Sequence, residues 1–165
     1  MCGAIAAGQL IVVHDGLRGK IARGVNSYVT LAKGEKDSLK KIKVTEGEGL
    51  VDFYANQAID QGYMGKVINS YDNRCLLMVE LKLMFQKLEG QGIFLPGTSG
   101  AEIDIEAQRK YMEANGVDTT EMDLQAIKTY EDLGTNVFWR GYGTFADTME
   151  DFYGVFCRNG VSIEA

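Results

Sequence analysis

Proline and histidine each occur once in these 165 residues, and cysteine only three times. Each scarcity excludes something. With His14 as the single imidazole, a nucleophile activated by histidine has one place to be. Cys2, Cys75 and Cys157 are an odd number and form no CxxC pair, which excludes a paired disulfide framework and fits a reducing compartment. Long apolar runs are missing too: the longest is Cys75 to Val79, far short of the roughly 20 residues that a membrane helix needs. The N-terminal stretch MCGAIAAGQLIVVHDG has no basic start and is interrupted by Gly8 and Gln9, so it does not read as a signal peptide. The expectation is a soluble, cytosolic product. Positive charge is also in deficit, 17 Lys and Arg against 23 Asp and Glu, for a net charge of −6. That argues against nucleic acid as partner, because neutralising phosphates takes clustered cations. The densest cluster, five lysines from Lys33 to Lys43, is interrupted by Glu35 and Asp37 and carries no aromatic residue. It reads as a solvated loop.

Glycine is plentiful, at 20 residues, which favours turns and close backbone contacts. The length suits a single domain spanning residues 1–165. Leu10–Val13 is a β-branched run closed by Asp15-Gly16 and predicts a strand and a turn. Lys20–Val29 predicts a second strand and Ile42–Thr45, IKVT, a third. From Gly49 to Gly62 the period changes: Val51, Tyr54, Ala55, Ala58 and Ile59 share one helical face. A second helix runs from about Asp72 to Glu89, capped by Ser70 or Asp72, with Leu77, Leu81, Met84 and Leu88 on its buried face. Its remaining apolar positions, Leu76, Val79, Leu83 and Phe85, make it hydrophobic nearly all round, as in a central helix or one covered by a partner. GIFLPGTSGAE reads as a loop. Asp104 caps a short helix ended by Gly116, and a weaker signal at Thr120 and Asp123 places another through Tyr130. Two terminal strands, Asn136–Phe145 and Phe152–Arg158, are joined by ADTMED. The expected fold class is α+β: a mixed or antiparallel sheet with two main helices packed on one face, two short helices, and a C-terminal β-hairpin.

The residues give little chemistry. Cys75 lies in an apolar helical run, where a thiol behaves as a small hydrophobe, and neither it nor Cys157 has a local cue for a lowered pKa. Glu102, Asp104 and Glu106 could be imagined as hard-metal ligands, but they lack a calcium-loop spacing and suit a helix N-terminus better. Glu150 and Asp151 read as turn and edge charges. TEGEGLVD, Thr45 to Asp52, puts glycines before a helix, yet without GK[ST] or GxGxxG and with two glutamates that would repel phosphate. No catalytic, metal or cofactor site is expected, and no enzyme.

What stands out is Thr135 to Cys157, TNVFWRGYGTFADTMEDFYGVFC, which holds the only Trp, four of seven Phe and two of eight Tyr. In strand register Val137, Trp139, Gly141, Gly143 and Phe145 share one face, while Phe138, Arg140 and Tyr142 share the other. Bulky residues flanking glycines predict that this face packs on the helices and that another backbone comes close at Gly141 and Gly143. A terminal strand with little chain after it offers an edge for pairing with a neighbour. The candidate assembly residues are Phe152, Tyr153, Val155, Phe156, Trp139 and Tyr142.

Read end to end, the chain resembles the C-terminal, tube-proximal part of the tail sheath proteins of contractile bacteriophages and defective prophages of the Gram-positive type. The resemblance covers about residues 8–157. It rests on GQLIVVHDGLRGKIARGVNSYVTL (8–31), KKIKVTEG (40–47), GYMGKVINSYDNRCLL (62–77), IDIEAQRKYMEANGVDTTEM (103–122) and GTNVFWRGYGTFADTMEDF (134–152), in the family's order. The last is similar to the family's terminal G-[ST]-x-V-F…D-A-M-E-D signature, with Thr148 in place of the usual Ala. The Gly-Tyr-Gly at 141–143 and the closing CRNGVSIEA depart from the pattern, and the N-terminal arm and outer domains of a sheath subunit have no counterpart. The resemblance implies a structural subunit or fragment of a contractile injection system. Such a subunit polymerises helically around a tail tube by strand exchange with neighbouring copies and drives contraction. Its partners would be other sheath subunits and the tube protein, with no membrane or nucleic acid. It would reside in a virion or phage-like tail assembled in the bacterial cytoplasm. The alternative is a tail adaptor or partner-binding module that uses a sheath-like domain without contracting.

Overall fold

A computed structural model describes residues 2–150, 155–158 and 161–164, with side chains from residue 3 to 150. Two compact units make up the chain: residues 44–146, and residues up to 43 together with those from 147 onward.

The end-formed unit begins with α1 (Cys2–Ala6) and a small antiparallel ladder of β1 (Val12–His14) and β2 (Gly19–Ile21). The expected Asp15-Gly16 turn joins the two strands. Asp15 Oδ1 accepts the amides of Leu17 and Arg18, each at 3.0 Å, and Gly16 takes a φ of 96°. Those two backbone hydrogen bonds hold the Asp15 carboxyl below its usual pKa. The strand expected over Lys20–Val29 stops at Ile21. Beyond it the backbone is secured by single contacts: Val25 bridges Lys41, and the Asn26 side chain donates to the Leu39 carbonyl at 2.8 Å. A 3₁₀ turn, Asp37–Lys40, lies within the lysine-rich stretch. Lys41 is not a solvated loop charge, because its ammonium pairs with Glu150 and Asp147.

Ile42–Thr45 is not a strand. It is the first turn of α2 (Ile42–Gly62), which therefore starts seven residues before the predicted Gly49. The predicted apolar face simply continues backward: Val44 is buried, and so is Gly47 one turn later. Gly47 reads as a breaker, yet any side chain there would meet the Phe145 ring at 3.0 Å and Ile93 at 3.1 Å. Close packing selects the glycine, and the helix accepts the cost of roughly 1 kcal/mol.

α3 (Tyr71–Gly90) forms where it was expected, with Phe85 rather than Met84 among its buried residues. Ser70 caps it by accepting the Asn73 amide, and Arg74, Leu77, Met78, Leu81, Phe85 and Leu88 are buried. Leu81 is wholly inaccessible, whereas Leu76, Val79 and Leu83 form a stripe more than half exposed. The predicted loop GIFLPGTSGAE ends in β3 (Gly100–Ile103), which α4 (Ile105–Ala114) follows under the expected Asp104 cap. Gly116, at φ 82°, closes it. α5 (Leu124–Thr129) is capped by Asp123.

β4 (Trp139–Tyr142) pairs antiparallel with β3, and β5 (Val155–Arg158) pairs with β6 (Val161–Glu164). The chain is thus α+β with antiparallel ladders and a C-terminal hairpin, as expected. The hairpin's composition is a correction: residues 155–158 take 161–164 as partner, and residues 139–142 reach back across α4 and α5 to β3. The described strands form three two-stranded sheets rather than one. Ala55, Leu77, Met78, Leu81 and Ile103 make the central core, Phe85, Leu88 and Phe94 extend it, and Met112, Ile127 and Leu133 form a separate cluster beneath α4 and α5.

Candidate assembly interface

The β3–β4 pair has two distinct faces, as strand periodicity requires. Ala101, Ile103, Trp139 and Phe145 pack on the helices, while Phe138 stacks on Tyr111 with ring centres 5.3 Å apart. Arg140 and Glu102, opposite one another in register, form an exposed ion pair on the outward side. The predicted close approach at the two glycines is real, but its cause differs from the expectation. A side chain at Gly141 would meet the Phe85 ring at 3.0 Å, and one at Gly143 the Phe94 ring at 2.7 Å. Aromatic rings, not another backbone, fill the space that the missing Cβ atoms leave.

The hydrogen bonds also show which edge of β4 is used. The carbonyls of Phe138 and Thr144 accept the amides of Asp104 and Leu95, and the Ala146 amide donates to Ile93. In an antiparallel ladder alternate residues turn both main-chain groups to the same side. Residues 138 to 146 of even number therefore face β3 and the segment before it, while Trp139, Gly141 and Gly143 turn their amides and carbonyls the other way. No strand among the described residues lies on that second edge. Gly141 and Gly143 are exposed, so nothing of their own bulk hinders a strand arriving there.

The Glu89 carboxylate secures the turn into β3. It accepts the amides of Gly97 and Ser99, each at 2.9 Å, and the Ser99 hydroxyl at 2.5 Å. The Ser99 hydroxyl, then the two amides, hold its pKa below the usual carboxylate value.

Of the candidate residues, Trp139 and Tyr142 sit together on β4. Trp139 gives part of its ring to the core, and Tyr142, about half exposed, lies across Gly100, where a Cβ would meet its hydroxyl at 2.6 Å. Val155 and Phe156 belong to β5, and Phe152 and Tyr153 lie outside the described residues. In a hairpin with a two-residue connection the flanking pair exchanges both hydrogen bonds. Since Arg158 stands opposite Val161, Arg158 and Phe156 turn their main-chain groups toward β6, and Val155 and Cys157 turn theirs away.

Those residues considered for chemistry whose side chains are described have structural roles, while Asp151 and the side chain of Cys157 lie outside the described residues. His14 Nδ1 accepts the Gly16 amide at 3.0 Å within the β1–β2 turn. Glu102 pairs with Arg140, Asp104 caps α4, and Glu106 lies in the first turn of that helix. Cys75 packs against the core, and Glu150 pairs with Lys41 and Arg23. Among the described residues no helix is long and apolar enough to cross a membrane, and no three His, Cys, Asp or Glu side chains converge as metal ligands. Sequence reasoning passed over Arg74, which is buried on α3. Its place on the row 74, 77, 81, 85, 88 was the available signal.

No protein-family model matches the chain. Over 147 residues, 89% of the chain, it is 30% identical to the tail sheath protein of Clostridium phage phiCD119, and it spans 41% of that protein's length.

Proposed function

We propose that residues 1–165 correspond to the C-terminal, tube-proximal domain of a contractile tail sheath protein of the prophage type, and that the chain's role is assembly rather than bond-making chemistry. The observation that carries the reading is the similarity to a phage tail sheath protein along nearly the whole chain. The β4 edge supplies a physical means: its outward main-chain groups at Trp139, Gly141 and Gly143 accept an added strand, as in β-augmentation. The outward edge of β5 on a neighbouring copy, at Val155 and Cys157, is the strand that arrives. Such a contact joins two different surfaces, so it is head-to-tail and builds rings or an open helix of subunits around a tube rather than a closed dimer. Contraction then follows from one lattice relaxing to another while these strand links hold neighbours together. The particle tail, assembled in the bacterial cytoplasm, is where such a subunit acts.

Val155→Pro tests the link. Proline removes the outward amide of β5 without removing a donor from the β5–β6 ladder. Purified parent protein is expected to form filaments or rings by electron microscopy, and the variant to remain monomeric with unchanged melting. Assembly of the variant like the parent would exclude the strand link. A parent that stays monomeric but melts higher with a ligand would favour the adaptor reading.

A further inference from the structure

A cavity of about 520 Å³ opens within residues 44–146, between α2, the segment that leads to α3, and the stretch before β4. That volume is in the range of small-molecule sites. Ile59, Leu77 and Trp139 give it apolar walls. Met64 and Ile68, which also line it, are 64% and 82% exposed.

The polar lining residues include Asn69, whose Oδ1 is buried without a hydrogen-bond partner, Asn73 and Arg74, and Arg74 is the one that carries a charge. Arg74 is only 2% exposed, and its guanidinium has five N–H donors to satisfy. Nη2 donates to the Tyr130 carbonyl at 2.6 Å, but Nε and Nη1 have no hydrogen-bond partner. The acidic neighbour is Glu131, whose two carboxylate oxygens take the Tyr71 amide at 3.0 and 3.2 Å. Burial lowers the Arg74 pKa and Glu131 opposes that shift, yet a guanidinium stays protonated in proteins. A buried cation with unmet donors is costly. It becomes favourable when a planar anion with two acceptor oxygens meets it.

We propose that this cavity is a binding site for an aliphatic carboxylate, its hydrocarbon body laid against Ile59, Leu77 and Trp139 and its acid group paired with Arg74, whose guanidinium turns toward the cavity to present the Nε and Nη1 donors that are closed off from solvent in this structure. The exposed Met64 and Ile68 side chains then cover the hydrocarbon at the mouth. The assignment is independent of the sheath reading, because it needs no assembly.

The test is a titration of the whole chain with sodium octanoate, octan-1-ol and octylammonium, followed by amide NMR shifts. Octanoate is expected to saturate shifts at residues 59–77 and 134–139 and to bind about tenfold tighter than octan-1-ol, the equivalent of one charge-assisted pair. Arg74→Met, close in volume, should abolish that preference while octan-1-ol still binds. In case Arg74→Met does not fold, substitutions at the exposed Ile68 serve instead: both Ile68→Lys and Ile68→Glu lose the same apolar contact, so octan-1-ol should weaken alike in the two, while octanoate should bind several-fold tighter to Ile68→Lys than to Ile68→Glu. Equal affinity for acid and alcohol, or octanoate binding indifferent to charge at residues 68 and 74, would overturn the site. So would shifts produced by an acidic peptide such as acetyl-Ile-Glu-Ile-amide but not by octanoate, which would make the cavity a docking point for a partner chain.

Discussion

Residues 44–146 contain every fully buried apolar side chain among the described residues, while residues 3–43 and 147–150 contain none. The two units are therefore held by different physics. In the first, α3 buries a row of large side chains against α2, β3 and β4, and removing apolar area from water dominates. In the second, cohesion comes from a turn capped by Asp15, a three-residue ladder, and the ion pairs of Lys41 and Arg23 with Glu150. That unit also leaves Val12, Leu17, Ile21 and Met149 well exposed. A unit so short of buried area gains most from whatever covers it.

The comparison breaks first at Leu81. Its truncation to Ala should cost about 2–5 kcal/mol in urea unfolding, as for a fully buried leucine; a loss under about 1 kcal/mol would mean that residues 44–146 do not depend on that core. Glycine substitutions come next. Gly143→Ala drives a methyl into the Phe94 ring and should cost about 1–3 kcal/mol by overpacking. Gly24→Ala, with nothing within 4 Å of its added Cβ, should lie within about 0.5 kcal/mol of the parent. Equal effects at both positions would erase the distinction between the units. Lys41→Met removes a partly exposed pair and should cost about 1 kcal/mol or less. Its signature is faster amide exchange at residues 24–26 and 40–42, with α3 unchanged. The smallest effect is at Glu89. Its native pKa is lowered, so its stabilisation is complete above the unfolded value and is lost as pH falls through the native one. The melting difference between the parent and Glu89→Gln should be full at pH 7, shrink below about pH 4.3, and vanish in stronger acid. A difference that persists at pH 2 would assign the effect to something other than the carboxylate charge.

Much of this was legible residue by residue. Ser70 and Asp104 announced helix starts because capping is settled within a few residues, whereas the weaker signal at Thr120 and Asp123 left the start of α5 open and Asp123 is its cap. Leu77, Leu81 and Leu88 on the buried face of α3 followed from spacing, though Arg74, Met78 and Phe85 did not, and the two faces of residues 137–145 followed from spacing as well. Where the reading failed, a tertiary neighbour had overruled a local signal. Ile42–Thr45 looks like a strand only as long as Gly47 counts as a breaker, and it ceases to be one once the Phe145 ring is packed against that glycine. For the candidate interface, spacing placed Trp139 and Tyr142 on one strand, but not which edge of β4 stays open or that the glycines there answer to phenylalanine rings.

What the sequence determined by itself is therefore what short-range chemistry decides: helix caps, turn glycines and apolar periodicity. The tertiary structure alone decided that β4 pairs with β3 across two intervening helices, that Arg74 is buried beside a cavity, and that one unit holds the core. Strand pairing and cavities depend on surfaces brought together from distant parts of the chain. Their energies are sums over contacts that no window of neighbouring residues contains.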